Sequence, residues 1–560
     1  MKQEEVRRAI EESLQRRSAP ALSFTVERSP LGQGEYATNV ALLAAGALSV
    51  APYALAQELA TELSQSLSEI ALHVEAAGPG FINISLKPEV LQVAVSDAAS
   101  NEGYGASTLL QGEQVIIEYT DPNPFKLFHI GHLMSNTIGE SLSRLVEFGG
   151  AEVKRANYQG DVGLHVAKAV WALQKNNWNA NSIEILGKAY VEGSSSYEAS
   201  EEVKAEVLVL NKKIYDRSDE GINKIYDEGR KISLEYFETL YKRLGTHFDF
   251  YFFESETGVR GAELVRENMR TVFEESDGAV VYRGEQDGLH TRVFLNSEGL
   301  PTYEAKELGL AKVKSEKYPY TRSIVVTGNE ISEYFKVIMA ALHHIYPDLA
   351  EKTQHMPHGM LRLPSGKMSS RTGDVISAES LLDDVMVKIR ERARSAEHTS
   401  GTFEHSIDAV TVAALKYSIL KQGIGRDIIF NLEKSISFTG DSGPYLQYTH
   451  ARCASVLSQT RLDSARQEGA GGMDNPEEPG ELERLIFHFP EEVERAIREY
   501  APQRIVAYLN ELAQTFNTYY ASNRIIGSDA EAYRLMLTTA TRTVLKNGLY
   551  LLGMSAPDTM

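Results

Sequence analysis

The chain has 560 residues and a mass of 62.1 kDa, which is enough for about three or four domains at roughly 100–200 residues each. Its 42% hydrophobic and 24% charged residues are those of an ordinary globular protein, so global disorder and fibrous structure are excluded. The 57 basic and 77 acidic residues give a net charge of −20. This balance argues against a uniformly basic surface that coats nucleic acid without regard to sequence.

A single cysteine, Cys453, excludes an internal disulfide framework and any multi-thiolate zinc or iron–sulfur site, and it fits a reducing compartment. The opening residues are charged and lack the apolar core of a signal peptide, and no stretch reaches about 18 apolar residues. We therefore expect a cytoplasmic protein with no zinc and no membrane partner.

The N-terminal part of the chain predicts a small α+β domain. Residues 1–20 carry a helical pattern, and Phe81–Leu86 alternates apolar and polar residues as a half-buried strand does. Glycine-containing breaks occur at 31–34 and 78–80. We place this domain at residues 1–108.

The next segment predicts a Rossmann-like, doubly wound parallel sheet. Val115–Tyr119 has the composition of a buried strand, and residues 121–124 break it. A helix is predicted over Ile130–Phe148, ended by two glycines, and a second strand over Glu152–Tyr158. Strand, loop, helix and strand within about 45 residues form a βαβ pattern, whose ligands bind at the carboxyl ends of the strands.

The rest of the chain predicts more helices and a few strands. Residues 165–275 are mostly helical in period, and the serine-containing, charged stretch 193–221 is interpreted as a solvated insertion. Strands are predicted at Gly278–Tyr282, Thr291–Leu295 and Ile324–Thr327. From Ile407 onward only helical patterns occur, so we expect a central domain at 109–400 and an all-helical domain at 401–560.

A candidate nucleotide site lies at His129-Ile130-Gly131-His132, where a loop becomes a helix. The unpaired N–H groups of a first helical turn carry partial positive charge, which suits a triphosphate. Gly131 allows close approach to the backbone, and His129 and His132 can direct ring N–H donors at phosphate oxygens. The alternative is that the two histidines only cap the helix.

A second candidate element is the basic, hydroxyl-bearing loop between Gly366 and Gly373. Its chemical groups belong to Lys367, Met368, Ser369, Ser370 and Arg371. Lys367 and Arg371 can neutralise pyrophosphate charge as it develops, and the flanking glycines allow the loop to move. The alternative is a solvated turn.

Together, in this order and about 235 residues apart, the two elements resemble the HIGH and KMSKS signatures of class I aminoacyl-tRNA synthetases. Other stretches resemble the arginyl-tRNA synthetases in particular, and they are Tyr36–Ala41, Gly78–Ile84, Glu118–Pro124, Asp441–Arg452 and Leu552–Pro557. The resemblance implies ATP-dependent activation of L-arginine to arginyl-adenylate, then transfer to the 3′-terminal ribose of tRNA-Arg. AMP and pyrophosphate are released, and Mg²⁺ is carried on the phosphates.

Arginine itself requires carboxylates, because a guanidinium is planar and always charged. Tyr303 and Glu307 are four apart on a predicted helix and share one face, so a phenol and a carboxylate can meet one substrate side chain. The matching position in the family is more often aspartate. The alternative is an exposed Tyr–Glu pair.

The resemblance also implies that Glu118 and Asn123 hold the α-amino and α-carboxylate end of arginine. The alternatives are an edge-strand carboxylate and a simple turn residue. Glu330 belongs to a segment that closes over amino acid and ribose, although many relatives carry Gln there. Residues 157–163 resemble the GDxG segment of the family or form a sharp turn.

On the ATP side, the resemblance implies contacts from Gly328 and from His358 and Met360, where adenine lies against the backbone. The catalytic groups it implies are His129, His132, Lys367 and Arg371.

The helical C-terminal domain is a candidate tRNA surface. Tyr445, Tyr448 and Arg452 fall at i, i+3 and i+7 as one stripe of stacking groups and a cation. Lys421, in the basic run Lys416–Arg426, offers a phosphate contact. The alternatives are bundle-core tyrosines and a solvated face. The resemblance implies anticodon reading here, elbow contact by 1–108, a monomer, and bound tRNA before activation.

Three other functions stay open at this point. A different class I ligase would keep the fold and change the amino acid. A small-molecule nucleotidyltransferase can use the same HxGH site but has no need of the long helical domain. A tRNA-binding relative without catalysis would be free to lose His129, His132 and Lys367.

Overall fold

The computed structural model describes residues 2–29, 33–362, 377–395, 401–464 and 479–560. In the N-terminal part, an antiparallel sheet of order β1-β2-β4-β3 is covered by helices. The elements are α1 (Lys2–Arg16), β1 (Val26–Arg28), β2 (Tyr36–Thr38), α2 (Val40–Leu48), α3 (Pro52–Ser66), β3 (Ala71–Ala77), β4 (Phe81–Leu86) and α4 (Pro88–Ser100). The predicted α+β character and the strand at Phe81–Leu86 are confirmed.

The central part alternates strands and helices. Its elements are β5 (Gln114–Glu118), α5 (Ile130–Phe148), β6 (Glu152–Gln159), α6 (Leu164–Asn176), α7 (Ile183–Ala199), α8 (Glu201–Asp216), α9 (Glu220–Leu244), β7 (Phe250–Phe253), α10 (Glu254–Glu267), β8 (Glu274–Ser276), β9 (Ala279–Tyr282), β10 (Arg292–Leu295), α11 (Tyr303–Lys317), β11 (Arg322–Gly328), α12 (Ser332–Ile345), α13 (Pro347–Lys352), β12 (Thr353–His358) and β13 (Leu361–Arg362).

The parallel sheet predicted from the sequence is present, with strand order β12-β11-β5-β6-β7. The chain moves outward from β5 to one edge and then returns to build the other, so β5 and β11 lie at the switch point where ligands bind in such folds. A separate antiparallel sheet is formed by β8, β9 and β10.

The C-terminal part is helical, with one short exception. Its elements are α14 (Ala378–Ser395), α15 (Gly401–Leu420), β14 (Ile428–Ile429), α16 (Leu432–Ser435), α17 (Gly443–Ser464), α18 (Glu481–Glu499), α19 (Pro502–Ser522) and α20 (Glu531–Leu551). The exception is β14, which pairs in parallel with β13. The prediction of an exclusively helical segment after Ile407 is therefore wrong at these two residues.

Two further expectations need correction. The stretch 193–221, interpreted as a solvated insertion, consists of parts of α7, α8 and the start of α9, with breaks at Ser200 and at residues 217–219. The side chain of Ser200 caps α8, accepting from the N–H of Val203. Edge strands β7 and β12 of the parallel sheet were not predicted at all.

Helix α5 is buried almost all round and connects the parts of the molecule. It packs on β6 and β11 at the sheet and against α15, α18, α19 and α20 on its other side. At Gly139 a Cβ atom would lie 2.2 Å from the ring of Tyr119, so glycine is required for that ring to reach the helix. The C-terminal helices and the sheet therefore share one core through α5.

The described part of the chain contains no single helix that is both long and apolar enough to cross a membrane. Helices α2 and α3 pass that test only as a pair bent by 113°.

Candidate active site

A cavity of 490 Å³ opens at the carboxyl ends of the central strands. It is bordered by the end of β5, the first turn of α5, the N-terminal end of α11, the end of β11 and the segment after β12. The predicted ligand-binding residues that line it are Glu118, Asn123, His129, Gly131, His132, Tyr303, Glu307, Gly328, Glu330, His358 and Met360. Sequence reasoning thus assembled one site from residues that span more than 240 positions, from 118 to 360.

His129 and His132 cap α5 reciprocally. Nδ1 of His129 accepts from the backbone N–H of Gly131 at 3.1 Å and of His132 at 3.4 Å, and Nδ1 of His132 accepts from the N–H of His129 at 3.2 Å. The rings stack with their centroids 3.5 Å apart. Because both Nδ1 atoms accept, a neutral ring carries its proton on Nε2. The capping role and the donor role are therefore compatible.

Burial keeps both histidines neutral at physiological pH. It lowers the pKa of His129 to about 4, with Lys126 adding to the effect, and it lowers the pKa of His132 well below the usual value. Lys126 lies just before the pair, with Nζ 4.6 Å from the centroid of the Tyr190 ring. At neutral pH the rings thus present N–H donors without positive charge.

Gly131 lines the cavity and also leaves room for the ring of His129. A Cβ atom at this position would lie 2.9 Å from Cε1 of the His129 ring. Glycine is therefore needed for the capping geometry, which is a reason that the sequence pattern alone did not provide.

The loop between β5 and α5 holds an unusual backbone. Thr120, Asp121 and Phe125 have φ values of 83°, 42° and 68°. Such left-handed conformations cost non-glycine residues about 1–3 kcal/mol each and concentrate at functional sites. Asp121 accepts a hydrogen bond from the N–H of Tyr158 at 2.8 Å, which anchors the loop on β6.

Carboxylates converge on the wall where β5 meets α11. Glu118 is 1% exposed and forms an ion pair with Lys314 at 2.7 Å. Burial and the charge of Glu118 raise the pKa of Glu307 to about 8. The same two causes raise the pKa of Asp121 well above its usual value. This wall is therefore poised to receive positive charge.

Sequence reasoning missed several groups at the site. Asp121, Tyr158, Glu254, Arg292, Glu304 and Tyr334 also line the cavity. Glu254 is held by Lys306 in a buried ion pair of 2.5 Å. Asp121 and Tyr158 lie inside the family-like stretches Glu118–Pro124 and 157–163, and Glu304 lies beside Tyr303, so a local signal existed for these three. No local spacing identifies Glu254, Arg292 or Tyr334.

The GDxG-like segment, residues 157–163, contributes Tyr158 and Gly160 to the cavity lining and also fixes neighbouring residues. At Gly160 a Cβ atom would lie 2.3 Å from Oδ1 of Asn123, so glycine gives Asn123 its place in the cavity wall. Asp161 is fully buried and accepts from Ser255, whose N–H and hydroxyl lie at 2.8 and 2.7 Å, and from Arg230 at 2.9 Å. It is absent from the described cavity lining.

The segment after β12 is tied to the helical domain. The N–H of Met360 donates to Asp427 at 2.9 Å, and its carbonyl accepts from Ile428 at 2.8 Å. The N–H of Gly359 donates to the carbonyl of Ile424 at 3.0 Å. The backbone N–H groups of Gly359 and Met360 are therefore engaged within the protein.

Lys367, Met368, Ser369, Ser370 and Arg371 lie outside the described residues. The described residues on both sides of them lie at the site. Leu361 lines the cavity, and Ser377 forms a β-bridge with His129, while the N–H of Ala378 donates to the carbonyl of Phe128 at 2.8 Å.

Of the predicted tRNA-side residues, those of the stripe on α17 pack against α19, while Lys421 pairs elsewhere. Arg452 lies 4.9 Å from the ring centroid of Tyr448 and 5.3 Å from that of Tyr520 on α19. The hydroxyl of Tyr445 accepts from Asn517 of α19 at 3.1 Å. Lys421 forms an ion pair with Asp441. The stripe is half-buried against α19 rather than fully solvated.

Among the described residues, no group of three or more His, Cys, Asp or Glu side chains is arranged to hold a metal ion. Cys453 is buried and unpaired.

Comparison with known families covers nearly the whole chain. Residues 94–432 match the family described as the catalytic domain of class I tRNA synthetases (R), residues 446–560 match the DALR anticodon binding domain, and residues 4–86 match the arginyl tRNA synthetase N terminal domain. The helix that begins with paired histidines at the carboxyl ends of the parallel strands is thus that of a class I aminoacyl-tRNA synthetase.

Relatives define the family further. The arginine–tRNA ligase of Treponema denticola is 33% identical over 505 residues, covering 85% of this chain and 84% of that protein. That of Ligilactobacillus salivarius is 31% identical, covering 95% and 94%. The chain belongs to the arginyl-tRNA synthetases, the family of arginine–tRNA ligases.

Solved structures agree with this assignment. The arginyl-tRNA synthetase of Thermus thermophilus superposes with a TM-score of 0.80 at 25% identity, with complete coverage of both chains. That of Plasmodium falciparum shares the fold, with a TM-score of 0.76 at 19% identity.

Proposed function

We propose that this arginine–tRNA ligase binds arginine and ATP in the 490 Å³ cavity and joins them to arginyl-adenylate before transfer to tRNA-Arg. The observation that carries the proposal is the pairing, in one cavity, of neutral histidine donors at a helix N-terminus with a wall of buried carboxylates. The first suits phosphate, and the second suits a substrate with cationic groups at both ends.

The guanidinium of arginine is bound by Glu307 and Tyr303, which are one helical turn apart on α11. Glu118 and Asn123 take the α-amino and α-carboxylate end, and Glu330 lies beside the amino acid and the ribose. A lysine side chain cannot form the paired bonds that a guanidinium makes with a carboxylate. An acceptor left without its bond in a desolvated pocket costs about 1–3 kcal/mol, so the loss of two discriminates against lysine.

ATP lies over the first turn of α5. His129 and His132 donate from Nε2 to phosphate oxygens, Gly131 and Gly328 border the nucleotide, and His358 and the side chain of Met360 contact adenine. Met368, Ser369 and Ser370 contribute to ATP binding, while Lys367 and Arg371 neutralise the leaving pyrophosphate. Mg²⁺ enters with ATP as part of the substrate.

The reaction needs no covalent enzyme intermediate. The α-carboxylate of arginine attacks the α-phosphorus in line, the bond to the β-phosphate breaks and pyrophosphate leaves. A hydroxyl of the terminal ribose of tRNA then attacks the arginyl carbonyl, and AMP leaves. The protein supplies positioning and stabilisation of developing charge.

Transfer RNA is contacted by Tyr445, Tyr448, Arg452 and Lys421 in the helical domain, and the N-terminal domain contacts its elbow. To contact tRNA, Tyr445 and Arg452 must give up their hydrogen bonds with Asn517 of α19, and Lys421 must leave Asp441. We place the domain limits at 1–108, 109–400 and 401–560. A monomer in the cytoplasm is the working form, consistent with a buried, unpaired Cys453.

The test is attachment of radiolabelled arginine to total tRNA with ATP and Mg²⁺, beside arginine-dependent pyrophosphate exchange with and without tRNA. Lysine is the control amino acid. Arginine-only charging supports the proposal. Charging of another amino acid would keep the ATP assignment and overturn the pocket, and tRNA binding without any charging would overturn the catalytic roles.

A further inference from the structure

Lys416, near the C-terminal end of α15, is fully buried and is used by none of the roles above. It opens the basic run that the sequence suggested as a phosphate contact or a solvated face, and the structure contradicts both for this residue. Its ammonium donates to two main-chain carbonyls, those of Leu244 at 2.7 Å and Gly553 at 2.9 Å. A buried cation is costly, so its retention calls for a physical reason.

Both acceptors lie at the ends of helices. Leu244 is the last residue of α9, and Gly553 follows the end of α20. The final carbonyls of a helix lack partners within the helix and carry partial negative charge. Lys416 therefore joins the C-terminal end of a central-domain helix to the C-terminal end of a helix in the anticodon-binding domain.

Helix α5 is fastened to the same two ends. Arg144 donates to the carbonyl of Gly245 at 2.9 Å and to that of Tyr550 at 3.0 Å. The hydroxyl of Ser141 donates to the carbonyl of Leu551 at 2.8 Å. Arg144 and Lys416 thus form two parallel bridges between the ends of α9 and α20, one from α5 and one from α15.

The bridged ends of α9 and α20 form a junction, and Glu140 of α5 connects this junction to the end of β5 at the catalytic cavity. This buried carboxylate of α5 accepts from Arg144 at 2.7 Å and from the hydroxyl of Tyr119, just after β5, at 2.6 Å. A Cβ atom at Gly553 would lie 2.8 Å from Nζ of Lys416 and 3.6 Å from Cγ of Glu140. The ammonium therefore lies beside the helix that begins with the paired histidines.

On its other side the junction connects to α17, which carries the tyrosine and arginine stripe. The side chain of Gln447 donates to the carbonyls of Ala409 on α15 and Ser555 after α20, at 3.3 and 2.9 Å. Helix α17 is thus hydrogen-bonded both to α15, which carries Lys416, and to the segment that follows Gly553.

We propose that Lys416 is a positioning residue that, with Arg144, fixes the orientation of α5 relative to the anticodon-binding helices, so that tRNA bound on α17 sets the placement of His129 and His132. This inference rests on the proposed function. Burial, with a contribution from Arg144, lowers the pKa of Lys416 to about 7, as expected for a cation held by carbonyls rather than by a paired carboxylate.

The test is the Lys416→Met variant, which keeps nearly the volume of the side chain and removes the two hydrogen bonds that it donates. Single-turnover transfer of arginine, with enzyme in excess over tRNA, reports only on folded enzyme that has bound tRNA. We expect a rate at least tenfold lower than that of the unaltered protein, with the Kd for tRNA changed by less than twofold.

Arg144→Met supplies a second variant in case Lys416→Met does not fold, and the two together form a double-mutant cycle. Because both side chains bridge the same helix ends, the double variant should lose less than the product of the single losses. Arg542→Met is the matched control, since Arg542 of α20 pairs with Asp558 at 2.6 Å within the same domain. It should stay within twofold of the unaltered protein.

Hydrogen exchange along α5, with and without tRNA, gives a readout that needs no activity. We expect tRNA to alter exchange in the first turns of α5 in the unaltered protein and in Arg542→Met, but not in Lys416→Met or Arg144→Met. An unchanged single-turnover rate, or the same tRNA effect in all variants, overturns the inference. If the unaltered protein transfers no arginine, the proposed function fails and the exchange data alone decide the role of Lys416.

Discussion

The rings of His129 and His132 stack at 3.5 Å, and each Nδ1 accepts a backbone N–H from the segment that contains the other residue. Helix capping and the proposed phosphate binding therefore use different atoms of the same side chains. The sequence presented these two roles as alternatives, and the geometry allows both because an imidazole has two distinct nitrogens.

Substitution of His129 can separate the two roles. Asparagine places its amide near the position of Nδ1 and keeps a capping acceptor, but it has no group at Nε2. We expect His129→Asn to fold normally and to lose about 10²–10³-fold in kcat, as for loss of one donor to a developing oxyanion. Thermal unfolding and pyrophosphate exchange measure the two effects.

His129→Gln is the complementary variant, because its amide reaches the position of Nε2 and cannot cap in the same way. The glutamine variant should retain more of the kcat than the asparagine variant does. Its free energy of unfolding should fall by about 1 kcal/mol, the usual contribution of an N-cap. If the asparagine variant keeps full activity, Nε2 has no role in the reaction.

Substitution of Glu307 should weaken the use of arginine and leave the use of ATP almost unchanged. Glu307→Gln removes the charge that pairs with the guanidinium, so we expect the KM for arginine to rise at least about tenfold, from charge-assisted bonds worth about 1.5–3 kcal/mol. The KM for ATP should change by less than about twofold, since the phosphate donors belong to α5. Steady-state charging at varied arginine and varied ATP measures both.

Two variants on the same helix serve as controls. Glu307→Asp keeps a carboxylate at this position and should keep far more of the arginine use than Glu307→Gln does. Glu316→Gln alters an exposed residue of α11, paired with Lys312 at 3.1 Å, and should have no effect. Equal losses for arginine and ATP in Glu307→Gln would remove Glu307 from the arginine pocket.

Arginine recognition should depend on pH. The pKa of Glu307 in the free pocket is raised to about 8 by burial and by Glu118, so at lower pH this carboxyl group is protonated. The guanidinium pairs with the ionised form, and binding therefore releases a proton. We expect the KM for arginine to fall up to about tenfold per pH unit between pH 6 and 8 and to level off above that.

The measurement is charging at saturating ATP and tRNA over this range. Glu307→Gln supplies the control, because it has no proton to release and its KM for arginine should vary much less. His129 and His132 contribute little, since the lowered pKa of each keeps them neutral throughout the range. A KM for arginine that stays constant from pH 6 to 8 in the unaltered protein contradicts the prediction.

Local sequence signals predicted α5 well. Features that depend on contacts between distant parts of the chain were missed. Its bounds, Ile130–Phe148, agree with the structure because a capping residue and terminal glycines mark both ends in the sequence. Strand β12, Thr353–His358, was missed because an edge strand with histidines and a proline carries little apolar alternation. Glu254 was missed as a cavity residue because nothing near it in the chain indicates that the first turn of α10 borders the cavity.

The break at Ser200 shows a different limit. The serines of 193–200 have modest helix propensity and led to the interpretation of a solvated insertion, yet α7 and α8 lie on both sides of Ser200 because their apolar faces pack on α6. Packing thus overrode propensity. The same holds for Lys416, whose charge predicted exposure although the junction of helix ends holds it inside.

Docking of the N-terminal domain should depend on Phe487. This residue of α18 is 8% exposed and lies in the core of the N-terminal domain, where its ring meets that of Tyr36 at 6.1 Å. Truncation of a buried Phe to Ala costs about 3–5 kcal/mol, and here the cost falls on the interface between two domains. We expect Phe487→Ala to loosen the N-terminal domain while leaving the cavity intact.

Limited proteolysis and charging kinetics check this expectation. Cleavage between α4 and β5 should become faster, and the KM for tRNA should rise while the KM for arginine and for ATP stays the same, since the N-terminal domain is proposed to touch only tRNA. Val93→Ala is the control, because this residue of α4 is 69% exposed. Unchanged proteolysis would show that the ion pairs of Arg28 with Glu481 and Glu511, both at 2.8 Å, hold the domain without Phe487.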